Sequence, residues 1–239
     1  MLFFTNRPTG ALTKIFVREN EEAPFDFNWL ATAIVPEFLP RATRFHCNET
    51  KRAFTAEEIS AVAVAQRELK FAMVFEQGQK NFISAAHTNW PSQHPRLLQF
   101  FLRRDHHAEA DGFDLEKRMI LKFAERFEVL YAYSRAIRAD YDATTETKVR
   151  QEGTGAVLGP WDPVAEWLFP GFDLDAGVIK GIYPVNYWGA NVDARLQAAG
   201  IRVPPRTGDS PLRSFGKKEQ GEISRNNPQI AGHIRFKNV

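Results

Sequence analysis

The densest set of side chains able to hold a metal lies between residues 87 and 111, "HTNWPSQHPRLLQFFLRRDHHAEAD". It contains His87, His94, Asp105, His106, His107, Glu109 and Asp111. Imidazoles and carboxylates do ligate zinc and iron. The spacing, however, matches no compact motif, because neighbouring histidines on a strand point to opposite faces and no H-E-x-x-H helix is present. A polar loop is the expected state. No metal and no cofactor are expected, and His87, His94, His106 and His107 are kept as ligands for an alternative reading, a metal-dependent hydrolase.

Cys47 beside His46 has the residue types of a thiol nucleophile and its base. Catalytic cysteines and histidines normally meet from distant segments, so an ordinary, partly buried cysteine is expected. Gly153, Gly155 and Gly159 in "EGTGAVLGP" echo a phosphate-binding loop, but no Lys-Ser or Lys-Thr pair follows. A tight loop explains them better. No G-x-S-x-G elbow occurs, and Glu57 and Glu58 have the ordinary use of favouring a helix N-terminus. Enzymatic activity is not expected.

The elements that would carry these residues can be read from periodicity. Residues 12 to 17, "LTKIFV", read as a strand, and the aromatic-rich segment that follows is interrupted by Pro24, Pro36 and Pro40. Thr55 and Glu58 form a capping-box pattern flanked by Phe54 and Ile59, which predicts a helix beginning at Thr55. "KFAMVFEQGQKNFISAAH" reads as two strands joined at Gln77–Gln79, and "RLLQFFLRR" as a third, an antiparallel meander. "DGFDLEKRMILKFAERF" is helical, with Asp111 or Asp114 as cap and Phe113, Ile120, Phe123, Ala124 and Phe127 on one side. "VLYAYSRAI" supplies another strand. The fold class is α+β, an antiparallel sheet with helices packed on one face.

The 239 residues are 44% hydrophobic, enough for a sizeable core, and no repeat or low-complexity linker divides them, so one domain over 1–239 is expected. Its segment from about 201 to 239 is basic and turn-rich, with eight Lys or Arg against three acids and four Pro and four Gly. Arg213, Lys217, Lys218, Arg225, Arg235 and Lys237, with Phe215 or Phe236, could meet a nucleic acid, which makes a nucleic-acid-binding accessory protein the second alternative. A net charge of +2 gives no bulk field favouring nucleic acid or an anionic membrane, so neither is expected as a partner. The single cysteine rules out an internal disulfide and fits a reducing compartment. "MLFFTNRPTG" has too short an apolar run for a secretory signal, and no window approaches a membrane span, so a cytoplasmic location is expected.

At 181–200, "GIYPVNYWGANVDARLQAAG", a strand is expected to end at Pro184, and Asn191 and Gly200 to bracket a short helix. Asn186 would then sit at a strand-to-helix corner, accepting from free backbone N–H groups, with Tyr187 and Trp188 anchoring the corner in the core. This stretch resembles the immunity proteins of bacterial polymorphic toxin systems, in particular the immunity protein 52 family and related domains. The features that carry it are the apolar strand, the Asn186-Tyr187-Trp188 corner, and Arg195-Leu196 before a glycine. "KFAMVFEQG" and "DLEKRMILKFAERF" stand in a compatible order, so the likeness extends over about residues 70–200.

The resemblance implies a non-catalytic inhibitor that binds and neutralises a cognate toxin. Trp90, Arg103, Arg104, Trp161 and Trp167 are the candidate partner anchors, since aromatic and Arg side chains dominate interface energetics; each type also serves in cores or on solvated surfaces. A near-neutral charge is a poorer fit to the basic cleft of a nuclease toxin. The sequence does not determine the oligomeric state.

Overall fold

The computed structural model describes residues 10–18, 25–48, 50–65, 71–76, 80–88, 97–105, 112–137, 149–152, 155–158, 182–189, 194, 197–198 and 210–226. The chain divides into two compact units, Met1–Ala139 and Asp140–Val239.

The first unit is built on β1 (Gly10–Arg18), β2 (Ala42–Cys47), β3 (Thr50–Ala53), β4 (Phe71–Glu76), β5 (Phe82–Thr88), β6 (Leu97–Arg104) and β7 (Glu128–Ile137). They lie side by side in the order β7-β1-β6-β5-β4-β2-β3. Every pairing among them is antiparallel. The expected meander is β4, β5 and β6, and the strand expected at 12–17 is β1, inserted between β6 and β7. Gly10 opens β1 because the backbone of β6 passes too close for a side chain: a Cβ there would meet the Arg104 carbonyl oxygen at 2.5 Å.

Register partners share a face of the sheet, so the pairings sort the side chains. Phe45, Val74, Ile83, Leu102, Thr13 and Ser134 form one cross-strand row, and Cys47, Ala72, Ala85, Phe100, Ile15 and Ala132 the next. All are buried. The Thr13 and Ser134 hydroxyls pair at 2.8 Å, which satisfies the two polar groups in this apolar face.

The helices cover that face. α1 (Phe27–Trp29) continues through a wider turn over 30–34, where the Val35 N–H reaches the Leu30 carbonyl, into α2 (Val35–Phe38). Asp26 starts it by accepting from the Asn28 and Trp29 N–H groups. Pro36 falls in the first turn of α2, the one helical location that needs no proline N–H. α3 (Ala56–Ala65) starts after Thr55, whose hydroxyl accepts from the Glu58 N–H at 3.4 Å. The Glu58 carboxylate pairs with Arg52 at 2.6 Å, so only half of the expected capping box forms.

α4 (Asp114–Arg126) buries Glu116, Met119, Ile120 and Phe123, one stripe at helical spacing. Its cap differs from expectation. Phe113 occupies that position in a left-handed conformation without a side-chain cap bond, and the Asp114 carboxylate pairs with Lys117. Phe123 meets Phe100 at 4.4 Å, and Trp29 stands edge-on to Phe123 and Phe127. Glu37 ties α2 to α4 through Arg118 and Lys122. The hydrogen bond from Lys122 is the largest cause holding the Glu37 carboxyl below its ordinary pKa.

The second unit contains the antiparallel pair β8 (Val149–Glu152) and β9 (Gly155–Leu158), the antiparallel pair β10 (Val185–Trp188) and β11 (Leu212–Ser214), and α5 (Lys217–Asn226). Within its basic, turn-rich segment, the described residues 210–226 form β11 and the helix α5. No helix among the described residues is long and apolar enough to cross a membrane.

Replacing one member of a buried ion pair leaves the other charge stranded. Glu116→Ala is therefore expected to lower unfolding stability by about 3–5 kcal/mol, because it removes both carboxylate bonds to the buried Arg104 guanidinium, and Arg104→Met with Glu116→Leu to recover much of that. Urea denaturation measures both, and a cost for Glu116→Ala below about 1 kcal/mol would show that the pair does not secure α4.

Candidate functional site

The second face of the sheet has a different chemistry. Its rows run Arg44, Phe75, Phe82, Arg103, Leu12, Arg135 and His46, Met73, Ser84, Phe101, Lys14, Tyr133. Cations thus lie among aromatic rings on this face. Lys14 is fully buried, its ammonium 5.2 Å from the Phe101 ring centroid and 5.8 Å from that of Tyr133. Burial of a cation in mid-strand is costly, and the negative ring faces offset part of that cost.

Toward β3 the same face opens. Arg44, His46 and Met73 are half-buried, and Lys51, the register partner of His46, is exposed. The Arg44 guanidinium lies 5.7 Å from the Phe75 ring and the His46 imidazole 5.3 Å from it, edge-on. Arg44 Nε and His46 Nε2 are buried with no hydrogen-bond partner among the described residues. Burial, then the charges of Lys51 and Arg44, push the His46 pKa down, so the ring is held neutral. The arrangement is Arg44 and a neutral imidazole beside one aromatic ring, with the exposed Lys51 across from His46 on the neighbouring strand, an environment that would accept an anionic group.

Cys47, one residue on, points to the helix-covered face. His46 and Cys47 therefore stand on opposite sides of the sheet and cannot form a nucleophile and base. Desolvation raises the Cys47 thiol to about 11, against the opposing pull of Arg52. A buried thiol of this kind is chemically quiet.

The expected anchors divide. Arg103 and Arg104 were placed beside a loop and available to a partner; both lie within β6, 5% and 9% exposed. Arg104 points to the helix-covered face and donates from Nη2 to Glu116 Oε2 at 2.8 Å, while Arg103 sits on the second face 3.6 Å from Asp105. Alternation sends the two guanidiniums in opposite directions. Trp90, Trp161 and Trp167 lie outside the described residues. So do His94, His106 and His107, and His87 is placed by its backbone alone, near the end of β5. Among the described residues, no three His, Cys, Asp or Glu side chains gather in a metal-binding cluster.

Asn186 is placed within a strand and not at a strand-to-helix corner. The strand begins after Pro184 instead of ending there, so Asn186 lies inside β10. Its side chain accepts from the Tyr183 N–H at 3.2 Å and donates to the Tyr183 carbonyl at 2.6 Å, taking both polar groups of one residue as a strand neighbour would. Trp188 is fully buried against Phe215, with the Arg213 guanidinium 4.5 Å from its ring centroid. Arg213 and Phe215 are thereby engaged in packing. The other basic residues weighed for nucleic acid that are described, Lys217, Lys218 and Arg225, are exposed on α5, while Arg235, Phe236 and Lys237 lie outside the described residues. Of the glycine-rich segment, Gly153 and Gly159 lie outside the described residues, and Gly155 opens the strand β9, where a phosphate loop would need a helix.

No protein-family model matches the chain, and no curated protein matches it. Among solved structures, the Pseudomonas aeruginosa T6SS protein PA0821 aligns with a TM-score of 0.45 and 13% identity, over 80% of this chain and 60% of that one. The chain thus spans less than two thirds of that protein's length.

Two measurements check the local chemistry. With its pKa near 11, Cys47 carries roughly a thousandfold less thiolate at pH 8 than at full ionisation. Native protein should therefore react slowly with a disulfide reagent and urea-unfolded protein quickly; equal rates would contradict its burial. His46 binds a proton more weakly folded than unfolded, so its contribution is fully present above its ordinary value of 6.5 and is lost as pH falls through the lower folded pKa. His46→Gln should flatten that loss in unfolding experiments between pH 7 and 5.

Proposed function

We propose that this chain is a non-catalytic immunity protein that binds and neutralises a cognate bacterial toxin. The observation that carries the reading is the set of cations among aromatic rings on one face of the antiparallel sheet, half-buried at Arg44 and His46 beside Phe75. Side chains of these types supply the anchors of protein interfaces, and strands hold them at low entropic cost. The resemblance of residues 181–200 to immunity proteins points the same way. The one nucleophile-and-base pair weighed from the sequence is separated by the sheet itself.

The proposal places the protein in the cytoplasm, with a toxin as its partner. A metal-dependent hydrolase remains the contrasting class, and metal analysis of untagged protein together with activity assays addresses it. Steeply salt-dependent binding to nucleic acid would favour the accessory-protein alternative instead.

The decisive experiment asks whether a large secreted polypeptide is encoded directly upstream of this chain. Its toxic domain, expressed alone, should arrest growth, and co-expression of this chain should restore it by forming a complex that co-purifies. Growth arrest that persists despite soluble, folded protein would overturn the reading.

A further inference from the structure

We infer that the outer edge of β3, together with Arg44, His46 and Lys51, is a docking site for an extended, acidic segment of a partner protein, which adds to the sheet as a further strand. The inference deepens the immunity reading and rests on it for the identity of the partner.

Three observations meet at this edge. β3 ends the strand order, and Thr50, Lys51 and Ala53 are exposed, so among the described residues no strand pairs with its outer side. A strand edge presents a row of backbone donors and acceptors that an extended peptide can satisfy. Lys51 and Arg44 form no ion pair among the described residues, whereas Arg52, on the opposite face, is neutralised by Glu58. Half-buried Arg44 and His46 stand on the Lys51 face beside it. An added strand with carboxylates at alternate positions would set them on the Lys51 side and leave its other side chains toward α3.

The alternatives are less well matched. A second copy pairing edge to edge would bring Lys51 toward its own counterpart, and like charges across strands repel. A nucleic acid could meet the cations but offers no backbone ladder to the edge.

The test titrates full-length, isotopically labelled protein with the peptide Ac-Glu-Val-Glu-Val-Glu-Val-amide and follows backbone amide resonances. Saturable shifts should cluster at residues 44–46 and 50–53, be absent with the Lys-Val counterpart, and weaken by at least about tenfold in Arg44→Glu/Lys51→Glu protein of unchanged spectral dispersion. Scattered or absent shifts would overturn the inference. So would a stronger response to single-stranded DNA, or the same shifts arising from self-association seen in sedimentation.

Growth protection separates this claim from the function beneath it. If the unmodified chain protects and the folded double variant protects equally well, the edge is not the docking site although the immunity reading stands. If the unmodified chain fails to protect while the peptide binds as described, the edge binds acidic strands and the immunity reading falls.

Discussion

The first unit depends on one buried charge pair. Glu116 is fully buried on α4, and Arg104 reaches it from the end of β6 with Nε on one carboxylate oxygen and Nη2 on the other. Two parallel charge-assisted bonds fix direction as well as distance, which apolar contact alone does not. The pair therefore sets the rotation of α4 over the sheet and delivers Phe123 to Phe100 and Trp29. Removing water from both ions is costly, so the pair contributes more to a unique arrangement than to net stability.

Because β6 alternates strictly, the arginine that secures α4 has a neighbour, Arg103, committed to the other face. The sheet thus separates two chemistries. One face is apolar apart from satisfied groups such as Thr13 and Ser134, and accepts the helices. The other threads Lys14, Arg103 and Arg135 among Phe101, Phe82 and Tyr133, and is buried at its centre. Its cations approach solvent toward β2 and β3, and Arg135 on β7 is half-buried as well.

Much of this architecture was legible in the residues. The meander of β4, β5 and β6, the helix α4, and the strands β1 and β7 all follow from apolar runs of the right length. β2 and β3 escaped notice because "ATRFHC" and "TKRA" carry too few apolar residues; one is an inner strand with a half-polar face and the other an edge. The helical segment over 27–38 was obscured by Pro36, whose place in a first turn is visible only once the helix is known. Glu116 was passed over because an acid within an apolar stripe reads as solvent-facing until its arginine is located. For the site, adjacency of His46 and Cys47 was rightly discounted, but the partnership of Arg44, His46 and Lys51 is made by strand pairing and has no sequence signal. Alternation within "RR" could have warned that Arg103 and Arg104 cannot serve one surface.

The entry into α4 carries a further implication. Gly112 and Phe113 are both left-handed, with φ of 61° and 63°, and Phe113 provides no side-chain cap. For a phenylalanine this backbone state is uphill by about 1 kcal/mol, and the buried ring offsets it only when the sheet is already there to receive it. The first turn of α4 is therefore poorly autonomous: it gains its stability from partners distant in the chain. Such an element acquires order together with the body it rests on, which favours an all-or-none transition for the first unit over stepwise assembly of prebuilt parts.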